Sequence, residues 1–438
     1  MKRVWVMLLV LCLALSMLLG CSAGKEAAES KGNLGTAEEP VTIRVMSWGT
    51  TAFWETWEAT LRANFPEWSD RVKIEWLVGG EDDNALAERF RMALASNESI
   101  ADVILFNYTQ VPEFARAGAL LDLSDFLAPY QDDLTGAAKV LSKVDDMTVA
   151  VPNMINGKMY VYRQDIFAEC GIDPTTWKTI DDMVAASDKL HETYPDKYLY
   201  NYSRDVGITG YDAYMIMTST GASFIDGEGN YIVDKSPEMR KTLETIKKIY
   251  DSNIGYNTEE LTTDWGSAIA GGEMVGDLTA SWAKMIFPAY AGDQTGLWNC
   301  CLWPEEIRTG SEAGGSVWVI PKNTGNEAAA KEFLELLCLN DEAAMLLYEN
   351  NERSPIRVSV YEKLDKSPAM FVDGYWKVEL ESCSEVNFAV FNYDPKAVTE
   401  MSIFNGWLTK YQTGAATIDE TLAGIQTDMS TQIGNAFE

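Results

Sequence analysis

A two-core α/β protein is what the sequence predicts, and three observations carry that reading. Segments with strand and helix periodicity alternate along the chain, the pattern that builds a sheet with helices on its faces. Past the first forty residues the composition is ordinary for a globular protein, 47% hydrophobic and 23% charged over the whole chain, and it continues for about 400 residues, more than one core usually serves. Beyond the first twenty residues no apolar run is long enough to span a bilayer.

The chain opens on Lys2 and Arg3, an apolar run over 4–19 interrupted only by Ser16, then Gly20 and Cys21. A positive start, a hydrophobic stretch too short for a membrane span and a small residue at its end describe an export signal. Cysteine directly after Leu18-Leu19-Gly20 resembles a bacterial lipoprotein signal, so 1–20 is expected to be removed and Cys21 to carry lipid, with a plain secretory signal as the alternative. Residues 21–40 are rich in Ala, Gly, Glu, Ser and Lys, with Leu34 the one large aliphatic side chain, and read as the lipid anchor and a flexible tether.

Ordered structure is expected from Val41. Val41, Ile43 and Val45 alternate with Thr42 and Arg44, and Val72, Ile74, Trp76 and Val78 repeat the alternation, so both runs predict strands. Between them Phe53, Trp57, Leu61 and Phe65 recur at helical spacing, and Pro66 ends that helix. Leu86, Phe90, Met92 and Leu94 mark a second helix before a strand over 101–106, completing a β-α-β-α-β opening. Farther on, Ser236 caps and Pro237 starts a helix with Met239, Leu243, Ile246 and Tyr250 inward. Ala329, Phe333, Leu336 and Leu337 line a helix over 326–339, and Ile418, Leu422, Ile425, Met429 and Ile433 form a last amphipathic stripe. All of these stripes read as core.

The net charge of −31, about −33 once Lys2 and Arg3 leave with the signal, repels nucleic acid and anionic lipid, so neither is an expected partner. Besides Cys12 and Cys21 there are Cys170, Cys300, Cys301, Cys338 and Cys383, whose spacing fits neither a zinc site nor a CxxC redox motif. One long-range disulfide and buried free thiols both stay open, and no metal or cofactor is expected. His191, the sole histidine, lies among polar residues near a helix end and reads as a solvated surface group. The chain has no G-x-S-x-G elbow, no HExxH, no phosphate loop and no G-x-G-x-x-G after a strand. Serine hydrolysis, zinc proteolysis and nucleotide chemistry lack their parts, and the chain is not expected to be an enzyme.

Several runs in a fixed order carry a resemblance. They are Val111-Pro112-Glu113-Phe114 with Ala117-Gly118-Ala119-Leu120-Leu121-Asp122-Leu123, then Ala150-Val151-Pro152, Tyr160-Val161-Tyr162-Arg163-Gln164-Asp165-Ile166-Phe167, and Cys170-Gly171-Ile172-Asp173-Pro174-Thr175-Thr176-Trp177. Gly272-Glu273-Met274-Val275-Gly276 through Trp282, Gly314-Gly315-Ser316-Val317-Trp318-Val319-Ile320-Pro321-Lys322 and Ser354-Pro355-Ile356-Arg357 follow. The set is similar to the family 1 extracellular solute-binding proteins of ABC importers, and it spans nearly all of the chain after the leader. The resemblance implies a two-lobed periplasmic-binding-protein-like fold, with several crossing segments and a cleft that closes on its solute. By analogy the N-terminal lobe takes 41–152 plus 274–322, and the C-terminal lobe 153–273 plus 323–438. It also implies delivery to the membrane permease subunits of an ABC importer.

Carbohydrate is the expected solute, an oligosaccharide above all, because 14 tryptophans and 19 tyrosines offer flat faces to the C–H side of sugar rings. Trp57, Trp76 and Trp177 are assigned to packing. Expected ligand contacts lie where strands give way to loops or near crossings: Trp48, Asn107, Tyr108, Trp282 and Trp318, with Glu81, Asp82 and Arg163 as polar partners and Trp265 and Tyr214 from the second lobe. A monomer on the outer face of the cell membrane of a single-membrane bacterium is expected, touching the membrane through its lipid alone. The rival readings are a receptor of the same fold for a non-sugar solute, presentation of solute to a membrane sensor, and a secreted polysaccharide-degrading enzyme.

Overall fold

The alternation that begins at Val41 becomes the five-stranded sheet of the first lobe. The computed structural model describes residues 32–308, 315–372, 374–384 and 396–437, so the leader and Cys21 lie outside the described residues. In chain order the strands are β1 (Val41–Trp48), β2 (Val72–Gly80), β3 (Val103–Asn107), β4 (Lys143–Val144), β5 (Met147–Thr148), β6 (Val151–Pro152), β7 (Lys158–Arg163), β8 (Tyr200–Asn201), β9 (Gly255–Tyr256), β10 (Gly276–Ala280), β11 (Trp298–Cys301) and β12 (Ser316–Val319).

The first sheet runs β2-β1-β3-β12-β6. β1 is parallel to β2 and β3, whereas β12 is antiparallel to β3 and β6. Val41, Ile43 and Val45 are buried as their alternation requires. The helix Ala52–Asn64 packs Trp57 and Leu61 inward, and Pro66 opens a further short helix, Pro66–Arg71, rather than only ending the one before it. Asp82 caps the helix Asp83–Ser96 by accepting the Ala85 N–H, and Asn97 ends it in the left-handed region.

In the second lobe β7 lies between β10 and β11, antiparallel to both. β8 pairs in parallel with β9, and a parallel bridge from Tyr198 to Met274 sets β8 alongside β10. One apolar core gathers side chains of 41–155 and 317–364, and a second gathers those of 160–307 and 404–436. A third cluster, including Trp265, Phe287 and Trp298, fills the space between β7 and the helices Thr263–Gly271 and Ala283–Ala291.

This packing corrects the expected lobe boundaries. The run 276–301 does not return to the first lobe, because β10 and β11 both pair with β7. Gly276 explains the fit: a Cβ there would lie 2.0 Å from the Tyr160 hydroxyl, so the bare backbone lets β10 close on β7. The return comes at β12, and the helices Glu327–Leu334 and Asp341–Asn351 then build the first core, not the second. The helices Ala397–Gln412 and Ile418–Gln432 go back to the second. The helix expected over 326–339 spans Glu327–Leu334 and continues as a wider π turn, Glu335–Leu339.

Three links join the lobes: 153–157, the passage from β11 to β12, and the passage from the helix Val358–Tyr361 to the helix Ala397–Gln412, which carries the helix Tyr375–Ser384. Ser281 donates its N–H to the Gly157 carbonyl at 2.8 Å and its hydroxyl to the Ile155 carbonyl at 3.1 Å. Nearby, Lys284 Nζ donates to Glu379 Oε1 at 2.6 Å and to Ser354 Oγ at 2.8 Å, all three fully buried. Cys170, Cys300, Cys301 and Cys338 are buried free thiols, and Cys383 is buried as well. His191 is half-buried with its ring edge-on to Tyr198, more enclosed than a solvated surface residue. Among the described residues no helix is long and apolar enough to cross a membrane.

Candidate functional site

Parallel pairing puts the carboxyl ends of β1, β2 and β3 at one edge of the first lobe, the place where α/β sheets present loops to ligands. Trp48 closes β1, half-buried against the first core. Behind it Gly49 takes φ 67°, and its N–H donates to the Gly80 carbonyl at 2.9 Å, tying the first two loops together. After β2, Glu81 points to solvent and Asp82 is used as a helix cap. Asp83, one residue on, sits beside Asn107; burial pushes its carboxyl up, the Asp82 charge adds to this, and hydrogen bonds from Asn84 and Asn107 oppose it. Asn107 itself accepts the Thr109 N–H, and Tyr108 is buried.

The second lobe answers with the carboxyl ends of β8, β9 and β10. Asp212 lies in the first turn of the helix Gly210–Ser219 after β8, Glu260 follows β9, and Trp282, half-buried, follows β10. Lys158, at the crossing end of β7, fixes the far end of the helix Gly210–Ser219. Its Nζ donates to the Met215 carbonyl at 3.0 Å, Thr218 Oγ1 at 2.6 Å and Ser219 Oγ at 2.9 Å, where a cation also meets the negative end of the helix dipole. The same helix carries Tyr214 to the first lobe: Tyr108 Oη donates to Tyr214 Oη at 2.8 Å. The two walls therefore meet hydroxyl to hydroxyl.

Three carboxyl groups gather on the second wall. Burial pushes Asp212 up to about 7. Burial first, then the charges of the other two, drives Glu260 well up; burial and Asp212 do the same to Asp277. With its amide nitrogen turned toward Asp277, Asn201 donates to Asp277 Oδ1 at 3.1 Å and accepts the Glu260 N–H at 3.3 Å, linking two of the three. Trp265 faces Asp277 and partly offsets its shift. Among the described residues no group of three His, Cys, Asp or Glu side chains is close enough to hold a metal ion.

Two α/β lobes with opposed strand ends are a binding architecture, and residues 60–372 match the family model of the bacterial extracellular solute-binding proteins. The chain belongs to that family. Among curated relatives, the diacetylchitobiose binding protein DasA of Streptomyces coelicolor is 25% identical over 72% of this chain and 71% of its own. An arabinooligosaccharide-binding protein of Halalkalibacterium halodurans is 22% identical over 72% and 73%. Among solved structures, the ABC transporter associated binding protein of B. animalis subsp. lactis, in complex with β-1,6-galactobiose, superposes with a TM-score of 0.70 at 19% identity, covering 91% of this chain and 99% of that one. The sugar-binding protein MalE of Xanthomonas citri gives 0.71 at 18% identity, over 88% and 96%.

In this solute-binding protein the residues singled out in the sequence divide into two sets. Trp48, Asn107, Tyr108, Tyr214 and Trp282 lie on the two walls. Trp318 does not, because its ring is fully buried in the first core, edge-on to Trp54, with its N–H given to Asn153 Oδ1 at 2.9 Å. Trp265 is likewise sealed, between Phe287 and Tyr290. Arg163 sits at the end of β7 away from the crossing, where Asp165 and Gln294 hold its guanidinium. Glu81 is exposed on its loop, and Asp82 has its carboxylate committed to the helix start. Sequence reading missed Asp83, Asp212, Glu260 and Asp277. The loop after β2 was legible, but not which of two adjacent aspartates caps; β8 and β9, two residues each, left no periodic signal to reveal the loops that follow them.

Proposed function

We propose that this protein captures a carbohydrate in the cleft between its lobes by hinge closure and hands it, unaltered, to the permease of an ABC importer. The observation that carries this reading is the pairing of half-buried indole faces, Trp48 and Trp282, with carboxyl and amide groups on opposed strand ends. A sugar ring needs that combination, an apolar plane for its C–H face and acceptors for its hydroxyl rim. The sugar ligands named for the relatives point the same way. The Tyr108–Tyr214 contact belongs to the closed form, and a ligand that touches both walls favours it. Attachment through Cys21, with 21–40 as a leash, keeps the receptor near its permease at the outer face of the membrane, where it works as a monomer.

Calorimetric titration of residues 41–438 with mono- and oligosaccharides tests the reading. A binding sugar at a hundred times its Kd is expected to raise stability by about 2.7 kcal/mol, read as a rise in Tm, and to be recovered intact by chromatography. A rise in Tm with peptides or polyols alone would transfer the reading to a non-sugar solute. Shortened products would make the protein a hydrolase or lyase.

A further inference from the structure

Two contacts join the lobes away from the three links, and both start from one short run of the first lobe, 108–116. Tyr108 meets Tyr214 hydroxyl to hydroxyl, and Tyr214 packs against the first and the second core alike. At the other end of the run Arg116 closes the helix Val111–Arg116, and its guanidinium lies over the Phe437 ring, 4.9 Å from the centroid. Each partner in this second contact is held by its own lobe. Asp145, in the turn between β4 and β5, accepts from Arg116 Nε and Nη2 at 3.1 Å each, so the guanidinium is oriented before the ring reaches it. Opposite, Ala436 is fully buried in the second core and donates its N–H to the Gly229 carbonyl at 3.0 Å, while Asn435 Nδ2 donates to the Glu228 carbonyl at 3.1 Å. Gly229 takes φ 81°, and a Cβ there would stand 2.8 Å from the Phe437 ring, so the ring rests on bare backbone. Phe437 stays 41% exposed, and burial in the second core does not account for its placement.

The links bend as the lobes swing, but 108–116 moves with the first lobe and 435–437 with the second. Opening must then part Arg116 from Phe437 as it parts Tyr108 from Tyr214. Both contacts are made by the chain's own side chains. We propose that Arg116 and Phe437 form a clasp between the lobes that, together with the Tyr108–Tyr214 hydrogen bond, favours the closed form whichever solute is bound. A solute then has less of the closing to drive, because its apparent dissociation constant falls as the closed fraction rises. The inference goes beyond the carbohydrate reading and rests on its hinge closure alone.

The test is small-angle scattering, without added solute, of residues 41–438, which contain all three cores. Phe437→Ala is expected to lower the ratio of closed to open molecules about two- to fivefold, read as a larger radius of gyration. Arg116→Gln should act in the same direction, and Phe437→Tyr, which keeps an aromatic face for the guanidinium, should keep the dimensions of the unsubstituted protein. Phe437→Ala combined with Tyr108→Phe is expected to expand the protein further than either alone, with melting curves showing that each variant folds. Dimensions that stay fixed in the single variants and in the combined one overturn the proposal, as does equal expansion by Phe437→Tyr and Phe437→Ala. If β-1,6-galactobiose or diacetylchitobiose still compacts such unresponsive variants, the clasp falls and hinge closure stands without it.

Discussion

Trp282 and Trp318 look alike in the sequence, each in a short run of small and apolar residues that reads as strand, yet they have opposite fates. Trp282 lies past the carboxyl end of β10, half-buried on the cleft side, while Trp318 sits within β12 opposite Leu105 and is fully buried. Trp318→Ala should therefore cost about 3–5 kcal/mol of stability and leave the affinity of the folded protein unchanged. Trp282→Ala should lose about 1–2 kcal/mol of sugar affinity, roughly tenfold, with little change in Tm. Differential scanning calorimetry and titration of both variants check this; equal effects on affinity would place the two rings in one site. What hid the difference was strand direction, since nothing local tells whether a strand runs toward the cleft or away from it. Asp82 and Asp83 show the same limit one residue apart: either could cap, and the three-dimensional turn decides which carboxyl is spent on the Ala85 N–H and which faces Asn107.

The strands and helices of the first lobe were legible because their periodicity is long and regular: β1, β2 and the helices Ala52–Asn64 and Asp83–Ser96 match their patterns within a few residues. The lobe boundary was not, because a five-residue strand such as β10 fits either sheet by pattern and its partner is chosen by a glycine meeting Tyr160. Glycine governs the first crossing as well. A Cβ on Gly157 would lie 1.7 Å from Ser382 Oγ and 2.6 Å from Cys383 Sγ, so the crossing backbone is pressed onto the helix Tyr375–Ser384. Gly157→Ala is expected to cost about 1–3 kcal/mol through overpacking, and Ser382→Ala, which removes the nearest atom, should recover part of that in the double variant. Full additivity of the two substitutions in thermal unfolding would show that the crossing and the helix move independently.

Charge sets how the whole molecule responds to pH. Burial raises Asp212 to about 7 and Glu352 to about 7, the latter with Lys284 opposing, and burial raises Glu260 and Asp277 as well. A carboxyl whose folded pKa lies above its unfolded value binds more protons when folded, so its contribution is whole below about pH 4 and is lost as pH rises through 7. Asp133, Asp165 and Asp341 are held low by hydrogen bonds and by Arg163, Arg357 or Lys363, so their contribution is present at neutral pH and lost only on acidification below about pH 4. The two sets together place maximal stability of the unliganded protein near pH 5, with a fall toward pH 8. Repulsion across a surface of net charge −31 falls in the same direction, but salt screens it, whereas groups enclosed in the cleft are screened much less. Melting curves at pH 5 and pH 8 in 0.5 M salt, a concentration chosen to shorten the screening length to about 4 Å, separate the two. Tm is expected to stay higher at pH 5, and Asp212→Asn, which cannot ionise, is expected to narrow the gap. A Tm that is flat or rising from pH 5 to pH 8 in salt would mean that the carboxyl groups of the second wall are hydrated rather than desolvated, and the cleft would then be a shallow surface.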